Sequence, residues 1–174
     1  WAMNQMDFSS AASSPLWSLL IAGVYKLSGI SVYVPLILNI LLSIAAIYAV
    51  YSLLHRFGVT KYSFALLLLF IFAAPLPVLV FTGMEHILQI LLVILFAALL
   101  ARAAASDRTS ARELLYVFTL SMLLAAVRYE DVFLLAVAAL IMVLSRKFTA
   151  AITLIIAASL PVLIYGYVSA SNGW

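Results

Sequence analysis

Six side chains in the breaks between long apolar runs are the candidates for chemistry in this 174-residue chain. A carboxylate can accept a proton or bind hydroxyl groups, and a guanidinium matches the geometry of a phosphate or a carboxylate. A charge at membrane depth costs roughly 2.5 to 3.5 kcal/mol on insertion scales, so it is retained mainly where it is paired or used. The candidate binding residues are Ser14, Glu85, His86, Arg128, Glu130 and Asp131.

The segment from Thr82 to Glu85 has the pattern of a helix-capping box. In that motif the Thr82 hydroxyl accepts a hydrogen bond from the backbone N–H of the third helical residue, and the Glu85 carboxylate reaches back. Glu85 therefore either caps a helix that begins at Thr82 or contacts a ligand, and one carboxylate can do both. His86 is either a packed or interfacial histidine or a ligand-binding one.

A second charged segment runs from Arg128 to Asp131. Arg128 either binds a phosphate or carboxylate group, or forms a salt bridge with Glu130 or Glu85. Adjacent residues at a helix start diverge by roughly 100°, so Glu130 and Asp131 cannot act as a facing carboxylate pair. We expect one of them to cap the following helix and the other to point into a cavity.

The composition places the chain in lipid, because 68% of its residues are hydrophobic and 9% are charged, whereas soluble domains carry about 25% charged residues. The absence of cysteine excludes disulfides, thiolate metal sites and a cysteine nucleophile. The nine Lys and Arg residues lie scattered between apolar runs, which excludes nucleic acid as a partner and leaves the lipid bilayer. Metal-ligand spacings, a Gly-rich phosphate loop and a Ser/His/Asp arrangement are also missing, so no metal ligand is assigned.

The apolar runs predict an all-α polytopic membrane bundle, in a single transmembrane domain over residues 1–174. A bilayer core of about 30 Å takes roughly 20 helical residues, so the first run, about 20 Å long as a helix, is too short to cross. We therefore predict an external segment over 1–14, a juxtamembrane outer-leaflet helix over 15–27, and six spans over 32–168. The runs are Pro15–Leu27, Val32–Leu54, Tyr62–Phe81, Met84–Ala101, Leu114–Val127, Val132–Ser145 and Phe148–Val168.

Local signals add detail at two places. The juxtamembrane helix is predicted to have Ser14 as its N-cap and Pro15 as its first residue, with Trp17 as an interfacial anchor. Further along, two prolines at 75 and 77 predict that a helix ends near Ala74 and that Leu76–Phe81 is irregular.

The segment 128–131 separates two runs of 14 residues each. One continuous helix would place three charges in the middle of the membrane, whereas a hairpin has arms of about 21 Å. The turn of such a hairpin lies several ångströms below the surface, where irregular backbone survives only when it is buried in protein or lines a wet cavity. We therefore predict a charged recess floored by this turn and shared with Glu85.

The distribution of cations predicts which side is cytoplasmic, because Lys and Arg near span ends are retained there. The opposite side holds four of the six acids, Asp7, Glu85, Glu130 and Asp131. We therefore predict that the recess is external. The cations of the predicted cytoplasmic side are Arg56, Lys61, Arg102, Arg108, Arg112, Arg146 and Lys147.

Three short motifs, SSPLW at 13–17, TGME at 82–85 and RYE at 128–130, resemble in order and spacing those of the bacterial type C glycosyltransferases. These multi-span enzymes of the plasma membrane transfer a sugar from a polyprenyl-phosphate donor on the external face. The resemblance covers nearly the whole chain. It implies a polyprenyl-phosphate-linked sugar as substrate, with Arg128 on the donor phosphate and Glu85 binding or orienting the sugar.

The resemblance also implies a general base upstream of Trp1, since Asp7 stands alone and too close to Pro15 to be that base. The chain is then expected to be a piece of a longer enzyme and to be inactive by itself. No cofactor is assigned to its own residues, although upstream carboxylates could hold a divalent metal.

Two other classes of function remain open. A transporter or channel subunit with an external charged cavity is the main alternative, because broken helices at membrane depth also mark secondary transporters. A purely structural membrane subunit is the third, and it predicts that Glu85 and Arg128 pair only with each other.

Overall fold

The computed structural model describes residues 14–106 and 109–171, and within them every regular element is an α-helix, which confirms the predicted fold class for this part. Asp7, Ser13 and Arg108 lie outside the described residues. The chain divides into two compact units. One covers Leu19–Ala98, and the second covers residues 14–18, 99–106 and 109–171, which include the last three helices. The helices are α1 (Pro15–Ser28), α2 (Tyr33–Arg56), α3 (Ser63–Ala73), α4 (Leu76–Thr82), α5 (His86–Ala105), α6 (Ala111–Val127), α7 (Asp131–Leu144) and α8 (Phe148–Ser171).

Three helices of the described chain, α2, α5 and α8, are long and apolar enough to cross a membrane. The pair α3 and α4 adds a fourth candidate if the two are one span, bent by 41°. Helices α6 and α7, with 17 and 14 residues, are about 26 and 21 Å long and fall short of the bilayer core. By length and composition, the described residues therefore support a helical membrane protein with three or four spans, and six spans stay a prediction.

The proline-containing segment ends one helix and begins another. Helix α3 ends at Ala73 with Ala74 as its C-cap, as predicted. The prediction of irregular backbone after it is wrong, because Leu76–Thr82 forms α4. Pro77 lies in the first turn of that helix, where a missing N–H costs no intrahelical bond, and the carbonyl of Pro75 accepts the first ones.

Helix α1 confirms the predicted short amino-terminal helix, since it begins at Pro15 and is about 21 Å long. Ser14 directly precedes this helix, as predicted for its N-cap residue, but its Oγ has no hydrogen-bond partner among the described residues. The backbone carbonyl of Ser14 instead accepts from the N–H and the hydroxyl of Ser18. Trp17 is buried, and its role as an interfacial anchor stays a prediction.

In the second unit, α6 and α7 pack mainly against α8. A capping box formed by Ser110 and Glu113 starts α6, each side chain bonding the backbone of the other. At the far end of α7, Arg146 adopts a left-handed φ of 57°, and Lys147 donates its backbone N–H to Met142 and its ammonium to the Ser106 carbonyl. These contacts hold the basic ends of the unit together and leave the turn between α6 and α7 at the opposite end.

Candidate functional site

Residues 83–85, called here the first turn, connect α4 to α5. Gly83 ends α4 in the left-handed conformation, with φ +68°, which glycine adopts without the steric cost of a Cβ. The Thr82 hydroxyl donates to the Leu79 carbonyl at 2.7 Å, within the helix that it ends. The predicted capping box is therefore wrong, since Thr82 closes one helix and the next begins at His86.

A buried amide on α2 holds the first turn in place. Asn39, which is 0% exposed, donates from Nδ2 to the backbone carbonyl of Met84 at 3.2 Å. A Cβ added to Gly83 would lie 3.4 Å from the Cβ of Pro35, one turn earlier on the same helix. The first turn thus lies directly on the early part of α2, about two turns into that helix.

Sequence reasoning missed Asn39, because it considered ionisable residues and helix ends alone. The available signal was one amide inside an apolar run long enough to span the bilayer, where an unpaired polar group is costly. Ser43 lies one turn further along the same helix and is also buried. Among the described residues, neither Asn39 Oδ1 nor Ser43 Oγ has a hydrogen-bond partner.

Glu85 and His86 take their positions from this turn. Glu85 is 4% exposed and precedes α5, and its backbone carbonyl accepts from the Gln89 N–H at 3.0 Å. It is therefore at the cap position of α5 rather than at the third helical residue. His86 is the first residue of α5 and is half-buried. A carboxylate buried at a helix start is stabilised by the positive end of the helix dipole.

Residues 128–130, called here the second turn, connect α6 to α7 and confirm that these are two helices rather than one. Arg128 forms a two-pronged ion pair with Glu130, with Nη2 to Oε1 at 3.1 Å and Nε to Oε2 at 3.3 Å. The Arg128 side chain is 24% exposed and that of Glu130 is 60% exposed. The hydrogen bonds from Arg128 hold the pKa of Glu130 below its ordinary value of 4.5. Of the alternatives for Arg128, the salt bridge to Glu130 is therefore confirmed.

The two acids at the start of α7 have separate environments. Glu130 is the N-cap residue but makes no side-chain cap bond, and Asp131 is the first helical residue and is 6% exposed. The prediction of a capping carboxylate is wrong for Glu130, because its carboxylate is taken up by Arg128. Next to them, the Tyr129 ring lies 5.4 Å from the Tyr165 ring of α8, which fastens the second turn to that helix.

An apolar groove of 380 Å³ begins beside the second turn and runs between α7 and α8. Its first residue on α7, Val132, follows Asp131 directly. On α8 its last lining residue is Leu163, two residues before Tyr165, which contacts the second turn. The charged second turn thus lies at one end of an apolar groove. Residues lining it include Val132, Leu135, Ala136, Ala158, Ser159 and Val162.

The six predicted site residues divide between the two units. Glu85 and His86 belong to the unit over Leu19–Ala98, and the other four belong to the second unit, in which the structure joins Arg128 to Glu130. A recess common to both turns stays a prediction.

Within residues 14–106 and 109–171, no three His, Asp or Glu side chains form a group that could hold a metal. No protein family, curated protein or solved structure matches this chain.

Proposed function

We propose that this chain is part of a membrane glycosyltransferase that takes a sugar from a polyprenyl-phosphate donor on the external face of a bacterial plasma membrane. The observation that carries the proposal is the second turn at the head of the apolar groove between α7 and α8. A polyprenyl phosphate has the same layout, with an anionic head on a long apolar chain. The resemblance of the three short motifs points to the same substrate.

Arg128 is the residue proposed to bind the donor phosphate. Its guanidinium is held by Glu130 yet remains partly exposed, so it is orientated before a ligand arrives. Arginine suits this role, because its planar fork can bind two phosphate oxygens at once. As the bond from sugar to phosphate breaks, negative charge grows on the leaving phosphate, and a fixed cation stabilises it.

Glu85 is proposed to bind or orient the sugar. Its turn is fixed to α2 by the bond from Asn39, and a fixed carboxylate can accept hydrogen bonds from sugar hydroxyls with little loss of entropy. An acceptor hydroxyl also needs a general base to remove its proton. No described residue of this chain is assigned that role.

The test of the phosphate site is lipid binding by the purified protein. Undecaprenyl phosphate is the probe, added to the protein in nanodiscs and quantified by native mass spectrometry, with undecaprenol as the uncharged control. Arg128→Ala should weaken binding of the phosphate roughly 10- to 100-fold, the worth of a hydrogen bond to a charged group. Arg112→Ala, an exposed arginine at the opposite end of α6, should change it less than about twofold. Equal losses in the two variants would reject the assignment.

The groove is tested by filling it. Ser159→Phe places a ring in the groove from an exposed position on α8, and Ile156→Phe places the same ring at an exposed position outside the groove. Ser159→Phe should weaken the binding of undecaprenyl phosphate and of undecaprenol alike, because both lipids have the same prenyl chain and the groove is proposed to hold that prenyl chain. If Ser159→Phe and Ile156→Phe bind these lipids equally well, the prenyl chain does not lie in this groove.

A transporter subunit is the second candidate, and the 41° break between α3 and α4 favours it. Discontinuous helices expose backbone groups that bind substrates in secondary transporters. Release of polyprenyl phosphate from a sugar-loaded donor by the full-length protein in proteoliposomes would support the enzyme. Sugar uptake without such release would support the transporter instead.

A further inference from the structure

A second cleft lies in the unit over Leu19–Ala98, between α2 and α5. Its volume is 680 Å³. The α2 residues that line it recur every three or four positions and therefore form one face of that helix. Those on α5 follow the same spacing. The lining includes Ala45, Ala49, Ser52 and Arg56 of α2 and Leu91 and Leu95 of α5.

The cleft has two unlike ends. Toward the start of α2, that helix is tied to the residues just before α5 by the bond from Asn39 to the Met84 carbonyl. Toward the end of α2, called here the open end, the cleft is lined by Ser52 and Arg56. From Ala45 to Arg56 the lined face is about 16 Å long, which is enough for a large part of an acyl chain.

The charges near the open end have one sign. Arg56 is exposed and has no ion-pair partner in the described part of the chain. Lys61 follows in the same loop, and no acid lies between them. The single acid of the unit, Glu85, precedes α5 at the tied end. An anionic group at the open end would therefore meet net positive charge.

We infer that the cleft between α2 and α5 is a binding site for an anionic phospholipid, with one acyl chain between the helices and the phosphate at Arg56 and Ser52. The Ser52 hydroxyl donates to a phosphate oxygen, and the guanidinium supplies charge-assisted hydrogen bonds. Basic pockets between membrane helices on the side rich in Lys and Arg bind such headgroups by the same chemistry. This site is separate from the proposed sugar transfer and does not depend on it.

The experiment titrates the full-length protein in detergent with phosphatidylglycerol or phosphatidylcholine of matched acyl chains and counts bound lipids by native mass spectrometry. Phosphatidylglycerol should bind more tightly, and Arg56→Ala should lower its affinity about fivefold, the worth of one basic side chain near an anionic lipid. Ala49→Phe fills the cleft and should remove the site, whereas Val50→Phe, which places the same ring on the same helix outside the lining, should not.

Three results would overturn the inference. The first is equal affinity for the two lipids, which indicates a site for any lipid. The second is an unchanged affinity in both Arg56→Ala and Ala49→Phe. The third is a lipid-free dimer of the protein that Ala49→Phe dissociates, because the occupant would then be a second copy of the chain.

Discussion

The two turns that carry the candidate site residues hold their charges in different ways. The first turn buries Glu85 and is fixed through its backbone, by a left-handed glycine and by the bond from Asn39 to the Met84 carbonyl. The second turn leaves Glu130 exposed and fixes its charge with a neighbouring one, Arg128. None of its described residues has a positive φ, so it needs no glycine.

The difference shows what each turn is sensitive to. A turn fixed through its backbone is disturbed by changes of main-chain conformation and by loss of the one amide that anchors it. A turn fixed by an ion pair is disturbed by removal of either charge and by low pH. A charge near apolar helices is costly, and at the second turn the pairing of Arg128 with Glu130 lowers that cost.

The largest effect on stability is expected at Gly83. Gly83→Ala should destabilise the protein by about 1 to 2 kcal/mol, because an L residue at φ +68° brings its Cβ close to the backbone. Gly23→Ala is the matched control, since Gly23 lies inside α1 with open space around it and its replacement should stabilise by about 0.5 to 1 kcal/mol. Thermal unfolding in detergent measures both. A change of the same sign in the two variants would contradict the role given to the glycine.

A smaller effect is expected at the anchor of the first turn. Asn39→Leu should cost about 1 kcal/mol, the net worth of one hydrogen bond, and should let the turn move away from α2. The chain has no natural cysteine, so Met84→Cys reports the turn alone, through its rate of labelling by a water-soluble maleimide. Labelling should be faster with Asn39→Leu and unchanged with Ser43→Ala, a buried polar residue that makes no bond to the turn. Equal labelling rates in the three backgrounds would show that the amide does not anchor the turn.

The smallest effect is expected at the second turn and depends on pH. Because Arg128 holds the pKa of Glu130 below 4.5, the stabilisation from the pair is present above that pH and is lost as the pH falls through the lowered value. For a carboxylate this exposed, the loss should be no more than about 0.5 kcal/mol. Comparing the unfolding of the wild type and Glu130→Gln between neutral and acidic pH measures it. If the wild type gains stability over Glu130→Gln as the pH rises from acidic to neutral, the ion pair is supported. A difference in the free energy of unfolding that does not change with pH argues against the pair.

Much of the helix pattern could be predicted from local signals. The short first helix, the end of α3 near Ala74 and the break between α6 and α7 were all placed correctly, because proline, charge and run length act on the residues beside them. The prediction of a helix that begins at Thr82 was wrong. Four residues matched a capping box, but the glycine among them takes the left-handed conformation that ends α4, so Thr82 closes a helix instead of starting one.

The site was predicted less completely than the helices. Residue type and spacing singled out Glu85 and Arg128 as candidate site residues, but left open what each would pair with. The pairing of Arg128 with Glu130 and the anchoring by Asn39 depend on turn geometry and on which helix lies against which turn. Neither follows from the order of residues along the chain.

By itself the sequence determined a helical chain suited to lipid, with its charges at or near the ends of the apolar runs, because hydrophobicity and helix-end preferences act over a few residues. Tertiary structure alone decided that a buried amide of α2 carries the turn before α5, and that a charged turn heads a groove between α7 and α8. Those outcomes depend on the packing of helices distant in sequence, where the free energy of each contact depends on neighbours that no local pattern specifies.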